Sequence, residues 1–159
     1  MKQLLIILVF IGCCIQAEVI NNNNATKQEA WHDNKNRYLS IEGDVNGDNM
    51  SDKIQMDISN DGKKLVLVAL INEGNNSFKQ YILTDDLESN YKEIMGIRLL
   101  KAGTYETACS KGYFDCSLEG NLSITIDFNS IEFFKYEGAS SIFYWNNENS
   151  NFSRIWISD

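Results

Sequence analysis

The stretch DKIQMDISNDGKKLVLVALI, residues 52–71, decides the fold class. Ile54, Met56 and Ile58 alternate with Gln55 and Asp57, the period-two pattern of a strand with one buried face. Asn60-Asp61-Gly62 then reverses the chain, because Asp and Gly accept the positive φ that tight hairpin turns need. Leu65 to Ile71 runs apolar without a break. Its short length and its valines favour a central strand covered on both faces over a helix.

Working outward from this hairpin, the same grammar continues. The loop NEGNNS (72–77) leads to a strand over Phe78–Leu83. Residues 85–95 carry the signals of a helical turn, capped by Asp85 or Asp86 with Glu88 near its start. Ile97 to Tyr105 reads as a strand interrupted by Gly103. Leu122, Ile124, Ile126 and Phe128 alternate with polar residues; Asn129-Ser130 turns the chain, and Ile131 to Glu137 runs back. Ser141–Trp145 and Phe152–Ser158 are joined by NNENSN as a hairpin. The chain has no proline, so nothing bars interior strand positions. The expectation is an all-β domain over residues 37–159 with minor helix. Its form would be an antiparallel meander making two packed sheets or one curled sheet.

Upstream, Lys2, the apolar run Leu4–Ile11 and the small residues that follow have the make-up of a secretory signal. The run is too short to cross a bilayer as a helix. Cleavage after Ala17 leaves a polar linker, residues 18–36, in which Thr26–Asn34 could form a short helix carrying Trp31. Phe10-Ile11-Gly12-Cys13 also resembles a bacterial lipobox, which would leave Cys13 lipidated and the protein anchored in the envelope. Both readings take the mature chain out of the cytosol, to the periplasm or beyond.

Export governs the cysteines. With Cys13 and Cys14 in the leader, Cys109 and Cys116 remain as a pair suited to a disulfide around CSKGYFDC. Two cysteines and the distant His32 make too few ligands for zinc. The formal charge is −8, and −9 once residues 1–17 are removed. No basic stripe serves nucleic acid, and a membrane role would require lipidation at Cys13. An acidic surface instead suits a basic protein partner.

GDVNGDNMSDKI, residues 43–54, carries the one metal-like spacing. Asp44, Asn46, Asp48 and Asp52 would offer side-chain oxygens, and Met50 its carbonyl, to a Ca2+ ion. An EF-hand is excluded, since Asn49 stands at the glycine position and Gln55 at the closing glutamate. The competing reading is an Asx-rich turn that orders itself through its own amides. Three neighbouring carboxylates repel unless a cation joins them, so calcium of the weak extracellular class, about 10⁻⁴ to 10⁻³ M, stands beside that reading.

Catalytic signatures are missing. No G-x-S-x-G, Walker or Rossmann pattern occurs, and His32 sits in the polar segment with no nucleophile beside it. Acidic pairs such as Asp85/Asp86 and Asp57/Asp61 read as surface carboxylates. The expectation is a non-enzymatic protein. Aromatics crowd the last strands, from Phe133 to Trp156, and alternation cannot bury all of them on one face. Trp145, Arg154 and Trp156 have the composition of an interface hot spot and are the candidate partner-binding residues.

Asp44-x-Asn46-x-Asp48-x-x-x-Asp52 resembles the calcium loop of FG-GAP and VCBS repeats, without their glycine after the third ligand. That resemblance implies a loop that opens a strand, and a single copy argues against a propeller. The leader, this loop, GTYETACSKGYFDC and the ending FFKYEGASSIFYWNNENSNFSRIWISD together resemble small exported proteins of Gram-negative bacteria. Some of those are immunity partners that block a toxin. The resemblance implies an exported binding protein that occludes a toxin or envelope enzyme. The alternative is a calcium-dependent envelope or adhesion-type module.

Overall fold

A computed structural model describes residues 39–113, 115–116 and 121–159. The leader with Cys13, the polar linker, His32 and the short helix expected over Thr26–Asn34 lie outside the described residues.

The hairpin that opened the sequence reading forms as expected. β2 (Asp52–Ile58) and β3 (Lys64–Gly74) pair antiparallel, with Ile54 opposite Ala69 and Met56 opposite Leu67. Gly62 sits at φ +74 in the turn, and the Ser59 amide donates to the Lys64 carbonyl at 2.9 Å. β1 (Ser40–Gly43) adds to β2, and β4 (Ser77–Glu88) adds to β3, giving a four-stranded meander in the order β1-β2-β3-β4. β3 is therefore interior, and Leu65 to Ala69 are buried on both faces, as its unbroken apolar run requires.

The β3–β4 connection is tighter than a six-residue loop. Both strands continue into NEGNNS, leaving Asn75 and Asn76 as a two-residue turn at φ 52° and 61°. Asn is the residue that most readily replaces Gly in this left-handed region. β4 also runs past Leu83 through Asp85 and Asp86, so neither aspartate caps a helix. The helical turn comes later, as a 3-10 helix over Ser89–Glu93 whose N-cap, Glu88, makes no side-chain capping bond.

A second four-stranded sheet has the order β10-β9-β8-β5, all neighbours antiparallel. It contains β5 (Met95–Leu100), β8 (Ser130–Lys135), β9 (Ser140–Asn146) and β10 (Asn151–Ser158). The expected single strand over Ile97–Tyr105 is two strands in different sheets, because the chain leaves β5 at Lys101. β6 (Gly103–Glu106) pairs with β7 (Ser123–Ile126) as a separate two-stranded unit. β7 and β8 thus do not pair with each other across Asn129-Ser130. β8 pairs instead with β5, placing Ile97 opposite Phe133 and Leu99 opposite Ile131.

The fold is an all-β, antiparallel single domain. Its two sheets share one core. Ile54, Met56, Leu65, Leu67, Ala69 and Ile71 from the first meet Met95, Ile97, Ile131, Phe133 and Phe143 from the second. Each of these side chains except Ala69, when fully buried, contributes about 1.5–3 kcal/mol before the entropy of ordering it is subtracted. β1 lies near β5 and β4 near β10, so the sheets have two seams along their edges. The β4–β10 seam is where the aromatic residues gather.

Candidate functional site

The acidic loop between β1 and β2 satisfies itself. Asp44 accepts the amides of Asn46, Gly47 and Asn49, the Gly47 bond being 2.7 Å and the Asn49 bond 2.9 Å. Asn46 Oδ1 accepts from the Asp48 amide, and Asp48 accepts from the Met50 amide at 2.8 Å and from Asn46 Nδ2 at 2.8 Å. Asp52 is fully buried and turns away from the loop's mouth, with Oδ2 accepting from the Val45 amide and Oδ1 from the Asn72 amide, each at 2.9 Å. Burial pushes the Asp52 carboxyl above its ordinary value; the two amides oppose that shift, and the charges of Asp48 and Asp44 add to it.

This loop also clamps the sandwich. Val45 is buried in the shared core, and Asn129 Nδ2 donates to the Asp44 carbonyl at 2.9 Å, across the gap to the start of β8. Gly47, at φ +82, has Phe128 so close that an added Cβ would stand 2.2 Å from its ring. Only glycine meets both demands. Among the described residues, no group of three or more His, Cys, Asp or Glu side chains converges in a way that could hold a metal. In this arrangement the side-chain oxygens of Asp44, Asn46, Asp48 and Asp52 accept from backbone amides of the loop and, through Asn72, of β3.

Cys109 and Cys116 form a disulfide with their Cα atoms 5.0 Å apart. Residues at the first cysteine hold on to β10. The Ala108 amide donates to the Trp156 carbonyl at 2.9 Å, and Lys111 Nζ to the Ile157 carbonyl at 2.7 Å.

The three candidate partner-binding residues lie on one face of β9–β10, facing the other sheet, but in two environments. Trp145 sits opposite Phe152 and closes one end of the seam. Tyr81, Trp145 and Phe152 meet edge to face with centroids 5.2–5.7 Å apart. Trp145 is thereby part of the core's rim. Further along β10, Arg154 and Trp156 stay together. The Arg154 guanidinium lies 4.2 Å from the Trp156 ring and 5.0 Å from that of Phe143, and its Nε donates to Ser141 Oγ at 3.0 Å. Trp156 is 38% exposed, and Arg154 also reaches solvent along its length. Burial of the head group lowers its affinity for the proton, with nearby Asp86 acting the other way; the group stays charged at neutral pH.

Below the Tyr81–Trp145–Phe152 cluster the seam opens into a cavity of about 320 Å3. Leu87, Tyr91, Met95, Phe133 and Trp156 give it apolar walls, and Asp86, Lys135 and Arg154 bring charge to it. The sequence pointed to Arg154 and Trp156 as binding residues and to Phe133 as one of the crowded aromatics, but to none of the others. They arrive from β4, the 3-10 helix, β5 and β8, and no local pattern announces that four such segments converge.

A second cavity, of about 440 Å3, lies on the opposite face of β8, where Glu132 is buried. Glu132 pairs with Arg98 Nε and accepts from Ser140 Oγ at 2.6 Å. Both Glu132 carboxylate oxygens are thus engaged, one by the guanidinium and one by the Ser140 hydroxyl. This cluster reads as the buried polar tie between β5, β8 and β9. No protein-family model, curated protein or solved structure matches the chain.

Proposed function

We propose that this chain is a non-enzymatic exported binding protein of the immunity or inhibitor kind. Its working face would be the β4–β10 seam, and its action the covering of a toxin or envelope enzyme. The observation that carries the reading is the Arg154–Trp156 stack, exposed at the mouth of an apolar cavity. Arg and Trp are the residues that most often dominate binding energy when set in a pocket of this kind. The net charge of −8 supports a basic partner drawn in by complementary fields.

The test is photo-cross-linking in the envelope of a Gram-negative host, with a photoreactive phenylalanine at position 86, on the exposed rim of the same cavity. A discrete protein adduct that Arg154→Ala weakens by tenfold or more, a loss of about 1.4 kcal/mol or more, is the expected result. No adduct, or one indifferent to Arg154, would remove the reading.

Calcium dependence is the alternative, favoured by one observation: Asp44 and Asp48 repel the buried Asp52 carboxylate. An ion would have to draw Asp44 and Asp48 away from the loop amides. On this alternative, millimolar calcium raises the Tm and Asp48→Ala abolishes the rise. An unchanged melt eliminates it.

A further inference from the structure

The β4–β10 cavity combines apolar walls with a cation whose hydrogen-bonding capacity is mostly unspent. A guanidinium carries five N–H donors in a fixed planar fork. Arg154 uses one, Nε to Ser141 Oγ, and among the described residues no carboxylate lies within ion-pair distance of it. The rings of Trp156 and Phe143 fix its plane, so the fork is held in place before any ligand arrives. Lys135 adds a second positive charge to the lining, and Asp86, which accepts from Thr84 Oγ1 at 3.4 Å, subtracts one.

We propose that the cavity binds a compact apolar group bearing one carboxylate, the anion on Arg154 and the apolar body against Leu87, Met95 and Phe133. A planar fork matches a carboxylate through two parallel bonds. The charged lining, two cations against one anion, suits a single negative charge. The volume, about 320 Å3, is at the small end of the range for small-ligand sites, so it takes a small acid or one chain-terminal residue rather than a folded surface. This inference rests on the seam being the working face, and it names the chemistry recognised there.

Both sources are tested by titrating the purified chain, followed by Trp fluorescence and calorimetry. The probes are phenylacetate and a short peptide ending in phenylalanine, each against its amide. The free acids are expected to bind at least tenfold more tightly than the amides. Arg154→Met should abolish that preference. Ala139→Leu, which narrows the cavity and leaves Arg154 in place, should weaken both acids, whereas Asp86→Asn should strengthen them severalfold. Binding of phenylacetate alone assigns the site to a small acid; binding of the peptide alone assigns it to a partner's chain end. Equal binding of acids and amides, or none at all, overturns the proposal. If no acid binds while the position-86 adduct still forms, the carboxylate chemistry falls and the protein-binding reading stands.

Discussion

Replacing Asp52 by Ala is expected to lower the unfolding free energy by about 3 kcal/mol, the sum of two buried amides losing their acceptor. Val45 and Asn72 donate to its two oxygens from opposite sides of β2's first residue, so one carboxylate holds the loop's entry and the far end of β3. Asp52→Asn should cost less, because its amide oxygen still accepts one of the two bonds. The pair of variants also has a signature in pH. The Asp52 carboxyl is raised above its ordinary 3.8, so its proton is bound more tightly in the folded chain than in the unfolded one. Stability from this group is fully present below pH 3.8 and is lost as pH rises through the raised value. The wild type's advantage over Asp52→Asn is therefore largest in acid and shrinks towards neutrality. Urea unfolding of both chains at a series of pH values measures it. A gap that widens as pH rises would contradict the assignment.

Lys92→Met is the second large effect, a loss of about 3 kcal/mol. Lys92, on the 3-10 helix, sits 3.7 Å from Asp57 of β2, with side chains only 12% and 9% exposed. Removing the cation leaves a nearly buried carboxylate without its countercharge, and that costs more than the pair itself contributes. The double variant Asp57→Val/Lys92→Met removes both charges and should recover most of the loss. Denaturant melts of the two singles and the double decide the matter. If the double is no more stable than Lys92→Met, the pair is not what holds the helix to β2.

How much of this was legible beforehand depends on distance along the chain. The Asp61-Gly62 turn, the doubly covered β3 and the β9–β10 hairpin follow from neighbouring residues, and all three could be read from composition and period. Asn75-Asn76 could not be separated from its flanks, because NEGNNS contains several residues that tolerate left-handed backbone and only pairing selects among them. The pairing of β5 with β8 has no local signal at all: Ile97 and Phe133 each look like ordinary strand residues until they are set opposite one another. The aromatic crowding was visible, but not its division. Trp145 packs with Tyr81 from a strand more than sixty residues away, while Trp156 stacks with Arg154 on its own strand. At the candidate site, two residues of the cavity came from sequence as binding residues and the rest from convergence. Around the acidic loop, every candidate ligand except Met50 proved to use its side-chain oxygens in holding the chain.

The excursion that carries the chain from β5 to β8, residues 101–129, separates two kinds of constraint. The first sheet is made of consecutive strands, so any change in its turns shifts a register and exposes a buried face. The excursion is bound differently: its flanking strands β5 and β8 pair with each other, it carries the separate β6–β7 pair and a disulfide, and it is anchored to the sandwich at Ala108, Lys111, Phe128 and Asn129. Closing a longer loop costs only about 0.6 kcal/mol for each doubling of length. A change of length between the anchored positions of that segment would thus leave the registers of both sheets as they are.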